Sequence, residues 1–342
     1  MSVPMHPTFK LSAALLFTEQ GQPWRSGIPP MQQVNPVPGM ISEDESRYLH
    51  WIARNHVSGE GHIVDLGPLA GGSTHALCSG LTINSRAAGR TRVHSYDLWH
   101  FFPAWKQFFP GAILSSGDDL HPLFRKNLDA FGSTVVTHPG DLRQHHWTGE
   151  PIEILFIDAA KSPDVWQHIL REFLPHCVPG RTLLLHQDWV CAECPWIHLT
   201  MARLAEYWVP MDSPDGGTVG FLLRRPIPVS QLEDDDLLTQ PLSLAIERFE
   251  RAASWTRGWY GLSVRLAQAH YFVMRGKLKE ASSLLNWVLA QSDYGPEVEY
   301  DVNLVATALN SRKIQSGFRQ RWRNACSNLA HQVLTAMGIR RD

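Results

Sequence analysis

Val64-Asp65-Leu66-Gly67-Pro68-Leu69-Ala70-Gly71-Gly72-Ser73-Thr74 is the stretch that decides the fold. The apolar run into Gly67 predicts a strand, the glycines predict a tight turn, and residues 73–86 have the pattern of a helix. A strand that enters a glycine-rich turn and then a helix forms the ligand-facing edge of doubly wound α/β sheets, because glycine lets a ligand approach the backbone. The dinucleotide fingerprint G-x-G-x-x-G is not met, since Leu69 stands at its second glycine. What remains is acid-x-Gly-x-x-x-Gly-x-Ser, with Asp65, Gly67, Gly71, Gly72 and Ser73 as candidate ligand contacts.

Outward from this turn, strands and helices alternate. Strands are expected at 63–67, 92–98, 134–137, 152–158 and 181–186, and helices at 118–131, 163–176 and 196–207. Segments 208–211 and 218–223 flank Ser-Pro-Asp-Gly-Gly and read as a hairpin. The expected fold is therefore α/β: a doubly wound, Rossmann-like, mostly parallel sheet with an antiparallel terminal hairpin. Ser42 and Glu45 have capping-box spacing, so order begins there. Before them, the prolines at 23, 29, 30, 36 and 38 predict an extended N-terminal arm, residues 1–41. After Arg225 the pattern changes: Pro226, Pro228 and the acidic run Glu233-Asp234-Asp235-Asp236 set a boundary between a sheet domain, 42–225, and a helical C-terminal domain, 226–342. There Leu262, Leu266, Ala269 and Val273 mark one helix face, and Leu278, Ala281, Leu285 and Val288 the next, with Gly276 between them. This is one tetratricopeptide-like hairpin, without a second copy at the repeat period of about 34 residues.

Charge and composition narrow the classes. Lys+Arg 31 against Asp+Glu 33 over 342 residues gives a formal charge of -2, which offers no basic field for nucleic acid. Seven Lys/Arg in the last 32 residues read as a solvated helix face, with an anion or partner surface as the alternative. No uncharged apolar run reaches the roughly 18–20 residues of a membrane helix, and Leu11–Phe17 behind the single Lys10 is no export signal. Five scattered cysteines suit a reducing, cytoplasmic setting, with Cys191 and Cys194 read as unpaired thiols rather than half of a zinc site.

Acids recur at the strand ends. Val93–Asp97 closes on Asp97, Gly140-Asp141-Leu142 follows the third strand, and Phe156-Ile157-Asp158-Ala159-Ala160-Lys161 closes the fourth. Leu185-His186-Gln187-Asp188-Trp189 closes the fifth. Together with the glycine turn, these motifs resemble class I S-adenosylmethionine-dependent methyltransferases, in the variant of the catechol and caffeoyl-CoA O-methyltransferases, and also the macrocin-type sugar O-methyltransferases. The resemblance covers about residues 42–224. It implies S-adenosyl-L-methionine as cofactor, with the glycine turn around its methionine end, Asp97 on the ribose hydroxyls and Asp141 near the adenine. It implies Asp158 as a cofactor contact or metal ligand, with Asp188 as a second ligand to a divalent ion such as magnesium. Trp189 departs from the acid or amide that the pattern places beside Asp188. Lys161 is implied as the acceptor of the substrate's hydroxyl proton, and His186 is the alternative base, since imidazole titrates near neutrality.

The six aromatic residues at 99, 101, 102, 105, 108 and 109 form either a lid over the acceptor or an accessory core. The expected activity is O-methylation of a small hydroxylated acceptor: a sugar, a phenol or a natural-product intermediate. Two other readings stay open, a noncatalytic nucleoside-binding or protein-interaction module and a nicotinamide oxidoreductase. The C-terminal helices are the expected surface for a second copy or a protein partner, and neither nucleic acid nor membrane is an expected partner.

Overall fold

A computed structural model describes residues 22–25, 37, 40–109, 111–211, 213–233, 237–256 and 258–312. Most of the N-terminal arm, residues 234–236 of the acidic run and nearly all of the basic C-terminal stretch lie outside the described residues. Two compact units are present: one includes residues up to Val190 and Trp196–Leu237, the other Cys191–Pro195 and the residues from Leu238 on.

The first unit is built on a seven-stranded sheet. Its strands are β1 (His62–Leu66), β2 (Val93–Asp97), β3 (Val135–Pro139), β4 (Ile152–Ile157), β5 (Leu183–His186), β6 (Trp208–Pro210) and β7 (Val219–Leu223). Their order is β3-β2-β1-β4-β5-β7-β6. The first five run parallel, and β7 is antiparallel to both β5 and β6. Burial explains the order at this end. Every residue of β7 is buried, as an inner strand requires, whereas β6 has two exposed residues and ends on Pro210, which an edge strand tolerates.

Side-chain alternation sorts the strands onto two faces. Ile63, Ile154, Phe156, Leu183 and Leu185 join the core that includes Tyr48, Leu49 and Ile52 of α1 (Glu43–Asn55) and Ala76, Leu77 and Leu81 of α2 (Gly72–Thr82). Their neighbours Leu155, Ile157, Leu184 and His186 therefore point to the opposite face. The ring of Trp166 lies 5.1 Å from that of His186 there, carried by α4 (Pro163–Glu172). Burying a side chain of this size stabilises by roughly 1.5–3 kcal/mol.

Local signals account for the helix starts. Ser42 caps α1: its hydroxyl accepts from the Glu45 N–H at 3.1 Å, and Glu45 accepts from the Ser42 N–H at 2.7 Å. Within the proline-rich arm, Pro23–Arg25 form one 3-10 turn, and Trp24 is fully buried with its ring 4.9 Å from Tyr48. A short helix, α3 (His121–Asn127), follows the aromatic segment, and α5 (Pro195–Arg203) follows β5.

The second unit is helical: α6 (Leu242–Ser254), α7 (Trp259–Met274) and α8 (Leu278–Leu289), with residues 296–312 helical as well. Leu262, Leu266, Ala269, Leu285 and Val288 share its core, so the hairpin faces expected from spacing are the buried ones. No helix among the described residues is long and apolar enough to cross a membrane.

Candidate functional site

The chain turns from one half of the sheet to the other between β1 and β4. In doubly wound sheets this switch point, at the carboxyl ends of the strands, is where ligands bind. Gly67 and Asp158 meet there. The Asp158 N–H donates to the Leu66 carbonyl at 2.8 Å, and a Cβ on Gly67 would lie 2.4 Å from the Asp158 carbonyl oxygen. Gly67 also has φ of +92°, so only glycine fits without strain. A small pocket here is lined by Met40, Ile41, Gly67, Pro68, Ser73 and Asp158.

Asp65 lies beneath this turn. It is fully buried, and its Oδ2 accepts from the Ser73 and Thr74 hydroxyls at 2.8 and 2.5 Å. Its Oδ1 has no hydrogen-bond partner among the described residues. Burial pushes this carboxyl up to about 7, against the pull of the two hydroxyls. Gly71 precedes α2 in the left-handed region, φ 101°, and its lack of a side chain leaves the first N–H groups of the helix uncapped from that position.

Asp97 ends β2 and organises the adjoining loop. One carboxylate oxygen accepts from the Leu69 N–H at 2.8 Å and the other from the Trp99 N–H at 2.7 Å. Leu69 and Trp99 are the two non-glycine residues with positive φ among the described residues, at 50° and 49°. That conformation costs an L-residue roughly 1–2 kcal/mol. Burial of both side chains and the Trp99 indole N–H donated to the Leu69 carbonyl at 2.8 Å offset the cost. Leu69 thus adopts the backbone that its absent glycine would take. Burial raises the Asp97 carboxyl, and the backbone N–H groups of Trp99, Leu69 and Leu98 oppose the rise. Trp99, Phe101 and Phe109 pack with Val37, Leu69 and Phe124, so this part of the aromatic segment forms an accessory core against the glycine turn, while Phe102 is exposed.

Asp141 follows β3 but is turned to Arg143, whose Nε and Nη2 donate to it at 3.0 and 2.6 Å. That pairing holds its carboxyl down at about 2.

The structure brings Asp158, Lys161 and Asp188 together. Lys161 Nζ donates to Asp158 Oδ1 at 3.0 Å and also to Asp188 Oδ1. The other Asp188 oxygen accepts from the Ala160 N–H at 2.8 Å, and the Trp196 indole N–H donates to the Ala160 carbonyl at 3.0 Å. The Asp158-to-Lys161 loop is therefore fastened at its middle residue. Burial raises the Asp158 carboxyl although Lys161 pulls it down, and Asp188 and Glu45 add to the rise. Glu45 is itself buried and accepts from the N–H and hydroxyl of Thr218 at 3.0 and 2.7 Å. Its capping spacing was visible in sequence, whereas its contribution to the field at Asp158 was not.

Three expectations need correction. Lys161 is not placed as a base: its nitrogen donates to two carboxylates. His186 is not at the site either. Strand alternation sends it to the face of Trp166, where both ring nitrogens are buried without a partner among the described residues, and burial pushes it down to about 3. The divalent ion does not fit the donor set. Magnesium needs oxygen ligands in near-octahedral array, yet Asp158 and Asp188 already share an ammonium. Trp189 brings no oxygen and is buried beside His198 and Phe221. No group of three or more His, Cys, Asp or Glu side chains among the described residues is arranged to hold a metal. In the second unit, the Cys194 thiol donates to Cys191 Sγ at 3.3 Å.

No protein-family model matches the sequence, and no curated protein matches it. The chain is similar to solved structures of methyltransferases. One is the O-methyltransferase NovP, at 14% identity and TM-score 0.44, covering 55% of this chain and 83% of that one. Another is CalS11, a TDP-rhamnose 3'-O-methyltransferase of calicheamicin biosynthesis, at 14% and 0.43, covering 65% of this chain and 96% of that one. A third is an O-methyltransferase from Bacillus cereus in complex with SAH, at 17% and 0.38, covering 62% and 99%.

Proposed function

We propose that the chain is an S-adenosylmethionine-dependent methyltransferase that methylates a hydroxyl of a small acceptor. The observation that carries this reading is the meeting of the Gly67 turn, Asp97 and the Asp158–Lys161–Asp188 group at the switch point of the sheet. The site is acidic: Asp65, Asp97, Asp158, Asp188 and Glu45 are largely buried around one ammonium, which suits a cationic ligand. The residues also fit the cofactor in detail. Asp65 has a buried oxygen without a partner among the described residues, and Gly67 lines the small pocket at the turn. Asp97 accepts from the backbone N–H groups of Leu69, Leu98 and Trp99 and keeps the remaining acceptor capacity of its carboxylate for the ribose hydroxyls. The uncapped start of α2 receives the carboxylate of the methionine moiety.

When bound, S-adenosyl-L-methionine supplies an electrophilic methyl group on a sulfonium. The chain then has to orient the acceptor oxygen and accept its proton. Lys161 orients, by donating to that oxygen from between its two carboxylates. Asp158 takes the proton, because burial has made its carboxyl a stronger base than an exposed aspartate.

Calorimetric titration tests this reading. S-adenosylhomocysteine is expected to bind in the micromolar range, and Asp97→Ala to weaken it at least about tenfold, as expected for loss of charge-assisted hydrogen bonds. Binding of NAD with no heat from S-adenosylhomocysteine would overturn it in favour of a nicotinamide enzyme.

A further inference from the structure

We propose that Lys161 is the resident cation of this site, standing between Asp158 and Asp188 where the family resemblance implied a divalent ion. The proposal deepens the methyl-transfer reading and rests on it only for the site's part in catalysis. Three features of the chain carry it.

The first is geometry. Nζ of Lys161 donates to one oxygen of each carboxylate, and the remaining Asp188 oxygen is bound to the Ala160 N–H, so Asp188 has both oxygens engaged. The second is fixation. Trp196 anchors the Ala160 carbonyl, which holds the loop that carries Lys161 against Asp188. The third is the donor set. Trp189, next to Asp188 in the chain, is buried against Phe221 at 5.1 Å between ring centres and supplies no oxygen to the pair of carboxylates. One lysine thus does structurally what an ion would do electrostatically: it links the buried Asp188 carboxylate to the mostly buried one of Asp158, and the two would otherwise repel. The Lys161 side chain is 58% exposed, so an acceptor can approach it from solvent.

A lysine in this role fixes the chemistry the site offers. It donates hydrogen bonds and positive charge to the acceptor oxygen, and the proton leaves to a carboxylate. Activity needs no added divalent ion and survives chelation.

The test uses the whole protein, with MnCl2 as the probe and two readouts, loss of free Mn2+ signal in electron paramagnetic resonance and thermal unfolding. Wild type and Lys161→Arg, which keeps the cation, are expected to bind no Mn2+ and to show no change in Tm. Lys161→Met frees both carboxylates: it is expected to unfold at lower temperature, to bind one Mn2+, and to regain roughly 3 °C at a tenfold excess over Kd. Adding Asp188→Asn to that variant is expected to abolish the gain. One Mn2+ bound by wild type and lost in Asp158→Asn overturns the proposal, and so does a folded Lys161→Met that binds none. If Lys161→Met fails to fold, the wild-type and Lys161→Arg titrations decide by themselves. These readouts do not involve the methyl donor, so a negative S-adenosylhomocysteine titration would sink the methyl-transfer reading and leave the cation assignment standing.

Discussion

Replacing Asp65 by asparagine separates what this residue costs the fold from what it does for the ligand. The carboxyl is fully buried and raised from 3.8 to about 7. A folded value above the unfolded one means that the native state holds its proton more tightly. The stability this confers is complete below about pH 4 and is lost as pH rises through 7. At 1.36 kcal/mol for each tenfold change in proton affinity, that rise amounts to about 4 kcal/mol of penalty at pH 8. Asparagine carries no charge to desolvate and keeps an oxygen for Ser73 and Thr74. The variant is therefore expected to gain up to about 4 kcal/mol at pH 8, or roughly 10 °C in Tm, and less than half of that at pH 5. Thermal unfolding of both proteins across pH 5–8 measures the difference directly. Calorimetry on the same samples is expected to show weaker S-adenosylhomocysteine binding, because stability and ligand affinity trade against each other at a strained site. Parallel Tm–pH curves, or a variant less stable than wild type at pH 8, would refute the reasoning.

Gly67→Ala is expected to destabilise by at least about 2 kcal/mol, from the positive φ together with the approach to the Asp158 carbonyl, and to abolish S-adenosylhomocysteine binding; denaturant unfolding and calorimetry check the two effects. His94 and His138 share a hydrogen bond at 3.1 Å and are pushed down by burial to about 3 and about 4. Both are neutral in the folded state, so the stability they contribute is present above the ordinary histidine value of 6.5 and is lost as pH falls toward 4. His94→Phe is expected to flatten the fall of Tm between pH 6.5 and 4, and an unchanged acid limb would contradict that assignment.

The sheet was legible because its signals are local. The apolar run into Gly67, the acids after β2 and β4, and the Ser42–Glu45 cap each fall within a few residues of one another. The site was legible only as far as those signals reach. His186 looked like a base because imidazole titrates near neutrality and the residue ends the fifth strand, but which face it takes depends on the phase of β5 in the finished sheet, set by Leu183 and Leu185 in the opposite core. The pairing of Lys161 with Asp188 spans 27 residues and exists because β4 and β5 are neighbours, which spacing alone does not encode. Positive φ at Leu69 and Trp99 has no sequence signature at all, since neither residue type favours it. Only the carboxylate two residues before Trp99 hinted at a side chain folding back onto its own backbone.

A crystal structure with S-adenosylhomocysteine tests the central claim most directly. Density for the ligand is expected along Gly67–Gly72, with both ribose hydroxyls on Asp97 and the sulfur end toward Asp158 and Lys161. Ligand density elsewhere on the sheet edge, or crystals that bind none at saturating concentration, would contradict it.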